Sequence, residues 1–273
     1  MKIIALIGVQ PNHRFLCERL NKEFGLDSVV IVSKRNNAKH SIMYRIVNKL
    51  VSYPLSAAWK NMQLTFEQQL EGLPSEKIFN VEDINSLEVL SLVEKLKPDL
   101  VIVSGTNLLK KTLIGKATES GKIMNLHTGI SPYVKGGPNC TNWCLSNKDF
   151  HMIGNTIMWI DEGIDTGNLV FTEKTKIDGS EGLAELHKKV MNHAHEMYLK
   201  CVELYIRREE LPNIRQCDIA EGMTFYTKQW GVLSTITALK NYYFYFNSKA
   251  INNKNCELKL VDIMQINIKA NRK

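Results

Sequence analysis

Short apolar runs alternate with amphipathic segments along this chain, and this alternation restricts the fold more than any other feature. The runs "KIIALIG" (2–8), "SVVIVS" (28–33) and "PDLVIVSG" (98–105) are nearly continuous, which is typical of parallel strands buried on both faces. Between the first two runs, residues 12–24 carry apolar side chains at helical spacing. A strand, a helix and a strand in this order predict a parallel sheet with a right-handed crossover.

The same rhythm continues through the middle of the chain. The segments "KIMNL", "GNTIMWI" (154–160) and "NLVFTEKTKI" (168–177) predict further strands, and residues 180–209 predict one long helix. We therefore expect an α/β fold with a doubly wound, mostly parallel sheet. Residues 34–75 interrupt the rhythm, and we interpret them as a helical insertion with a break near Pro54.

Composition excludes several classes of protein. The chain has 273 residues, of which 44 % are hydrophobic, so it can bury a large core and does not resemble a disordered chain. Its apolar runs are shorter than the roughly 18 residues that a membrane span needs, and the first run is followed at once by polar residues. We expect a cytoplasmic protein with no membrane partner. The six cysteines lack paired spacing, so we expect free thiols and no metal site.

The basic charge is concentrated in the last part of the chain. Residues 224–273 hold eight Lys or Arg and two acidic residues, together with many aromatic side chains. The simplest interpretation is the solvated basic face of a small β-rich appendage; the alternative is a surface that contacts a phosphate or a nucleotide. We divide the chain into a catalytic domain, 1–210, and an appendage, 211–273. The aromatic residues predict that the appendage packs against the main domain and contributes to a homodimer interface.

Polar residues with catalytic potential lie at the end of one predicted strand. Asn125 and His127 are two positions apart, so a strand places both on one face, at the edge where α/β sheets bind ligands. The loop "DEGIDTG" (161–167) adds Asp165. An amide can stabilise an oxyanion, an imidazole can move a proton, and a carboxylate can orient that imidazole. Since no serine or cysteine nucleophile accompanies them, this set predicts direct acyl transfer without a covalent enzyme intermediate.

The string "NLHTGISPYVKGG…GNTIMWIDEGIDTG" closely resembles the formyltransferase family. The family motif runs Asn-x-His, a Pro-containing loop, a Gly-x-Thr strand and then Asp-x-Gly-x-Asp-x-Gly. The segment "KPDLVIVSGTNLLKKTLI" resembles the strand and helix that precede this motif, so the resemblance covers about residues 97–174. It implies the formyltransferase fold, with a Rossmann-like sheet.

The resemblance also implies a reaction and a set of site residues. The formyl donor would be 10-formyltetrahydrofolate, the acceptor a primary amine, and the catalytic residues Asn125, His127 and Asp165. The pterin pocket, carried over by position, would comprise Asn107, Leu108, Leu109, Ile114 and the loop Ile160, Asp161, Glu162, Gly163, Ile164 and Asp165.

The acceptor is less closely defined by the resemblance. The loop "GISPYVKGG" looks more like that of sugar N-formyltransferases, which favours a nucleotide-linked amino sugar, and Arg14 and Lys135 are candidates to meet its pyrophosphate. Nucleic acid is not expected as a partner, because methionyl-tRNA formyltransferases carry a longer C-terminal barrel, although the basic tail keeps initiator tRNA open. A deformylase with the same residues and a catalytically silent folate-binding module are further alternatives.

Overall fold

The computed structural model describes residues 1–33, 42–252 and 258–263, and within them seven strands form one sheet. The strands are β1 (Ile3–Gly8), β2 (Ser28–Val32), β3 (Ile78–Val81), β4 (Leu100–Ser104), β5 (Lys122–His127), β7 (Gly154–Trp159) and β8 (Leu169–Lys174), and a separate two-stranded sheet pairs β6 (Val134–Gly136) with β9 (Met223–Phe225). The order in the large sheet is β3-β2-β1-β4-β5-β7-β8. The first five of these strands are parallel, which confirms the mostly parallel α/β fold.

Helices cover both faces of this sheet, as a doubly wound fold requires. The helices of the described residues are α1 (Pro11–Phe24), α2 (Ile42–Val51), α3 (Tyr53–Glu67), α4 (Leu87–Leu96), α5 (Lys111–Thr118), α6 (Cys140–Asn147), α7 (Leu183–Ile206), α8 (Val232–Tyr245) and α9 (Ser248–Ile251). Alternate residues of β1 divide the core: Ala5 packs with α1 and α7, whereas Leu6 packs with α4 and α5. Burial on both faces explains why the strand sequences are almost continuously apolar.

Two strands differ in direction from the rest of the sheet. β7 pairs antiparallel with both β5 and β8. The connection between β7 and β8, residues 160–168, is too short for the crossover that a parallel pair needs, so the two strands form a hairpin. Because β7 runs antiparallel to β5, the loop 161–167 begins beside Ile123, near the start of β5, and turns back so that Asp165 reaches His127 at the end of β5.

The predicted insertion is helical over most of its described residues, whereas residues 68–74 are not helical. α2 and α3 meet at Ser52, and Pro54 lies in the first turn of α3, where a proline costs no helical hydrogen bond. Residues 34–41 lie outside the described residues. Asn12 at the start of α1 exchanges hydrogen bonds with Gln63, since Gln63 Nε2 donates to Asn12 Oδ1 at 2.7 Å. α3 is thereby held beside the carboxyl end of β1.

The expectation of a β-rich appendage was wrong for the described residues. The main element after α7 is α8, a 14-residue helix that packs on α6. Asn241 of α8 is buried and its Nδ2 donates to the carbonyl oxygens of Leu145 and Ser146, at 3.0 and 2.7 Å. Residues 211–252 also pair through β9 with β6, so this segment packs against the main body. The domain division at residue 210 stays a prediction.

A buried tyrosine joins the helical layer to the sheet near the predicted site. Tyr198 of α7 is fully buried, and its hydroxyl accepts a hydrogen bond from Val103 N at 3.0 Å and donates to the carbonyl of Met124. Burial raises the pKa of this hydroxyl well above its ordinary value, so it stays neutral. The hydroxyl therefore bridges β4 and β5 immediately before Asn125.

Candidate active site

The carboxyl ends of the parallel strands open into a cavity of about 800 Å³. This volume lies in the range of small-molecule binding sites. Asn125, His127 and Asp165 all line it, so the structure brings the three predicted catalytic residues together. The cavity lies where ligands bind in open α/β sheets, beyond the strand ends.

His127 and Asp165 form a direct contact at the centre of the cavity. His127 Nδ1 lies 3.2 Å from Asp165 Oδ2, and the side chains are 8 % and 16 % exposed. On the other side of the ring, Nε2 lies 3.2 Å from the carbonyl oxygen of Val134. The imidazole is therefore held between two acceptors, one a carboxylate and one a carbonyl.

The loop after β5 folds back tightly on the imidazole. A Cβ on Gly129 would come within 2.6 Å of His127 Nε2 and within 2.6 Å of the Val134 oxygen, so this position has no room for a side chain. Cys140 Sγ lies 3.5 Å from His127 Nε2. Burial raises the pKa of the Cys140 thiol well above its ordinary value, so it stays protonated and is no nucleophile.

Asp165 adopts an unusual backbone conformation. Its φ is +50°, in the left-handed region, which costs an ordinary L residue roughly 1–2 kcal/mol. Two partners hold it there. Gly136 N donates to Asp165 Oδ2 at 2.9 Å, and Gln216 Nε2 donates to the Asp165 carbonyl oxygen at 2.7 Å. Gly136 has a φ of +92°, and a Cβ there would meet the Phe225 oxygen at 2.0 Å.

Asn125 lies on β5 between the neighbouring residues Val103 of β4 and Met158 of β7. It is half-buried and points to the cavity on the same face as His127. Within the described part of the chain, its amide makes no side-chain hydrogen bond, so its NH₂ group can donate to a ligand.

Most of the residues predicted for the pterin pocket line the same cavity. These are Asn107, Leu108, Leu109, Ile160, Asp161, Gly163 and Ile164. They follow β4 and β7, the strands on either side of β5. Asp161 Oδ1 accepts hydrogen bonds from Gly163 N, at 3.0 Å, and from the Thr166 hydroxyl, which gives the loop its compact shape.

Two of the predicted residues lie elsewhere. Ile114 is 8 % exposed and packs in the core beneath the cavity wall, with Leu113 and Ala117. Glu162 is exposed, and its Oε1 lies 3.1 Å from Lys111 Nζ. The candidates for binding a pyrophosphate are also outside the wall: Arg14 does not line the cavity, and Lys135 Nζ donates to Gln216 Oε1 at 3.3 Å.

A second wall of the cavity was not foreseen from the sequence. It comprises Ser52, Ser56 and Trp59 from the start of α3, Asn139 and Asn142 at the start of α6, and Trp230 before α8. We call these six residues the neutral wall. Asn142 Oδ1 is buried without a hydrogen-bond partner. Among the described residues lining the whole cavity, Asp161 and Asp165 carry negative charge and none is Lys or Arg.

Two kinds of feature are absent from the described residues. No group of three or more His, Cys, Asp or Glu side chains there is placed to hold a metal ion. Among the helices in the same ranges, none is both long and apolar enough to cross a membrane. The five cysteines in these ranges are free thiols, and Cys256 lies outside them.

The fold and the site define an α/β protein with an imidazole–carboxylate pair at the carboxyl edge of a mostly parallel sheet. The family model described as formyl transferase matches residues 1–202, and the chain belongs to this family. The fold is similar to that of a sugar N-formyltransferase from Shewanella sp., with a TM-score of 0.58, 11 % identity and coverage of 88 % of each chain.

Other similar proteins are named for different activities. A Helicobacter canadensis N-formyltransferase, solved with folinic acid and dTDP-3-aminofucose, has a TM-score of 0.55 and 15 % identity, and the match covers 89 % of this chain and 81 % of that one. A methionyl-tRNA formyltransferase from Clostridium tetani is 27 % identical over 185 residues, which are 68 % of this chain and 53 % of that protein. The chain spans about half the length of the curated relatives it matches.

Proposed function

We propose that this protein transfers a formyl group from 10-formyltetrahydrofolate to a primary amine. The observation that carries this proposal is the contact between His127 and Asp165 on the wall of a cavity that Asn125 also lines. Family membership supports the same chemistry. The acid–base pair suits acyl transfer between two bound substrates, because the attacking amine has to lose a proton.

The residues present can carry out each proton transfer that the proposed reaction requires. The amine nitrogen attacks the formyl carbon, and a C–N bond forms. Asn125 donates a hydrogen bond to the oxyanion of the tetrahedral intermediate. The bond from the formyl carbon to the folate nitrogen then breaks. His127 and Asp165 take the proton that the amine loses and return one to the folate nitrogen, so the pair is unchanged after each turnover.

The folate would bind on the side of the cavity that is lined by the segments after β4 and β7. Leu108, Leu109, Ile160 and Ile164 offer an apolar slot there, and the neighbouring loop offers backbone hydrogen-bonding groups. A flat pterin ring needs both. Leu108 is 54 % exposed, which leaves apolar surface for a ligand to cover.

The acceptor would be an amino sugar linked to a nucleotide, bound against the neutral wall. Trp59 and Trp230 can stack on the apolar face of a sugar ring, since aromatic side chains bury large flat surfaces. The unpartnered Asn142 Oδ1 can accept a hydrogen bond from a sugar hydroxyl or from the amine itself. The similarity of fold to sugar N-formyltransferases supports this acceptor.

Initiator tRNA is the second candidate acceptor. The named relatives at the sequence level are methionyl-tRNA formyltransferases, and residues 224–273 are rich in Lys. The described residues after α7 form β9, α8 and α9, which pack against the main body. The similarity of fold to sugar N-formyltransferases makes the amino sugar the preferred acceptor.

The test is a screen of nucleotide-linked amino sugars, including dTDP-3-aminofucose, with 10-formyltetrahydrofolate, and a parallel reaction with methionyl initiator tRNA. We expect a mass gain of one formyl group on an amino sugar. Formylation of the tRNA alone would show that the acceptor is initiator tRNA and not an amino sugar. Folate release without any amine would indicate a deformylase, and folinic acid binding with no turnover would indicate a silent folate-binding module.

A further inference from the structure

Gln216 lies behind the loop that carries Asp165, and its side chain is 7 % exposed. It belongs to a 3₁₀ turn, Gln216–Asp218, in the segment after α7. Its Nε2 donates to two carbonyl oxygens of the loop, that of Asp165 at 2.7 Å and that of Gly167 at 2.9 Å. Its Oε1 accepts from Lys135 Nζ at 3.3 Å. These three hydrogen bonds are directed at the loop 161–167 and at β6, the two segments that contact His127.

This contact bears on the conformation of one residue in particular. Asp165 has a φ of +50°, and a non-glycine residue stays in this region only when its surroundings hold it there. A rotation of the Asp165 peptide away from this conformation would carry Oδ2 away from His127 Nδ1, which lies 3.2 Å from it. The bond from Gln216 to the Asp165 carbonyl opposes that rotation directly.

Resting on the proposed function, we infer that Gln216 is a positioning residue for the His127–Asp165 pair. It does not line the cavity and acts only through Asp165, whose carboxylate it keeps against the imidazole. Lys135, which precedes Gly136, is tied to the same amide, so Gln216 also links the loop after β5 to the loop after β7. The segment that the sequence suggested was an appendage therefore contributes to the geometry of the catalytic pair.

A double-mutant cycle distinguishes a glutamine that only stabilises the fold from one that positions Asp165. We expect Gln216→Leu to lower turnover on the order of 10- to 100-fold, which is the cost of a small misplacement of a catalytic group. In the unaltered chain, Asp165→Asn should cost at least about 100-fold. In the Gln216→Leu background the same change should cost at least about 10-fold less than in the unaltered chain, because Asp165 is already misplaced and the double variant should be about as slow as Asp165→Asn alone.

Asn241→Leu is the matched control. Asn241 is also a buried amide whose Nδ2 donates to two backbone carbonyls, those of Leu145 and Ser146, but it lies outside the cavity wall. Its loss should lower the stability by a similar amount. In the Asn241→Leu background, Asp165→Asn should still lower turnover at least about 100-fold. If Gln216→Leu fails to fold, Gln216→Glu serves instead, since a carboxylate of the same size cannot donate to the two carbonyls.

A second measurement needs no acceptor. The ¹⁵N shift of His127 Nδ1, assigned by its absence in His127→Asn, should change in Gln216→Leu and not in Asn241→Leu. An unchanged shift, or an undiminished cost of Asp165→Asn in the Gln216 variant, would overturn the inference and leave the proposed function standing. If Asp165→Asn had no effect in the unaltered chain, the role of Asp165 in the proposed function would fail, and the inference with it.

Discussion

Each of the three side chains at the site depends on different neighbours for its position. Asn125 is fixed by strand pairing on both sides of β5. His127 is held by Val134 and the tight approach of Gly129, and Asp165 by Gly136 and Gln216. Val134 and Gly136 both belong to β6, so a change in this short strand should affect His127 and Asp165 together.

Removal of the imidazole or the carboxylate should abolish most of the activity. We expect His127→Asn and Asp165→Asn each to fold and to lose at least about 100-fold in turnover, because each removes a group that moves a proton. Single-turnover formyl transfer is the measurement. Asp218→Asn is the control, since Asp218 is exposed and paired with Arg215 away from the cavity. Normal turnover in either catalytic variant would contradict the assigned roles.

The folate slot can be tested at Leu108 without disturbing the core. Leu108 is 54 % exposed, so Leu108→Arg should fold normally and lower the affinity for folinic acid at least about 10-fold, through loss of apolar contact. Titration calorimetry measures this. Leu87→Arg is the control, because Leu87 is 80 % exposed and lies outside the cavity. Equal affinities for folinic acid in the unaltered chain and in both variants would contradict a folate site at Leu108.

Ile114 should behave as a core residue and not as a pocket residue. Because it packs against Leu113 and Ala117, Ile114→Val should lower the free energy of unfolding by about 0.5–1.5 kcal/mol. Its affinity for folinic acid should equal that of the unaltered chain. Urea unfolding and calorimetry on the same variant separate the two effects, and a loss of affinity with unchanged stability would place Ile114 on the folate.

At the scale of elements, the contact between α3 and α7 contains two histidines that cannot accommodate charge. His195 lies against Phe15 and Phe66, and neither of its ring nitrogens has a hydrogen-bond partner. Burial, with a smaller contribution from His13 and Arg19, lowers the pKa of His195 to about 3, and burial lowers the pKa of His187 to about 4. Both histidines are therefore neutral in the folded protein at neutral pH.

These histidines should make the protein sensitive to acid. Their folded pKa values lie below the unfolded value of about 6.5, so the unfolded chain binds more protons as the pH falls below about 6.5. Each lowers the free energy of unfolding by about 1.4 kcal/mol per pH unit until its folded pKa is reached. His195→Leu should therefore make the free energy of unfolding fall less steeply as the pH is lowered. Urea unfolding at pH 7, 6, 5 and 4.5 measures the slope, and an unchanged slope would contradict the prediction.

The elements that the sequence predicted well are those whose local pattern is set by burial. β1, β2 and β4 are buried on both faces and appear as apolar runs. β3 was missed because it is only four residues long and mostly solvent-accessible. α8 was misread because Tyr242, Tyr243 and Phe244 favour strands by composition, whereas their packing follows the helical period that buries Ala238 and Asn241.

At the scale of the whole molecule, the part of the site that lies on one continuous motif was predictable, and the neutral wall was not. Asn125, His127 and Asp165 follow from strand spacing and the motif. Trp59, Asn142 and Trp230 come from segments far apart in sequence, which tertiary packing brings to one cavity. The proximity of Gln216 to Asp165 across 51 positions has no local signal either.

α8 leaves an apolar stripe exposed, and we expect it to form a homodimer contact. Leu233, Ile236, Tyr243 and Phe244 are 80, 46, 65 and 75 % exposed on one face of the helix. Sedimentation should show a dimer that persists at high salt, because apolar burial survives screening. Leu233→Glu with Phe244→Glu should give a monomer, and Leu87→Glu should not.

The outcome that would end the dimer prediction is a monomer of the unaltered chain at both low and high salt. Binding of initiator tRNA that weakens steeply with salt would instead assign this basic segment to nucleic acid, through release of counterions.

The bridge made by Tyr198 has a consequence for the order in which the protein can assemble. Val103 of β4 finds its hydrogen-bond partner 95 positions later in the chain, on α7. While the ribosome has produced only the strands up to β5, the seam between β4 and β5 lacks the hydroxyl that joins them, and an unpaired N–H there is unfavourable. We therefore expect the seam beside Asn125 to gain its full set of hydrogen bonds only after α7 has emerged.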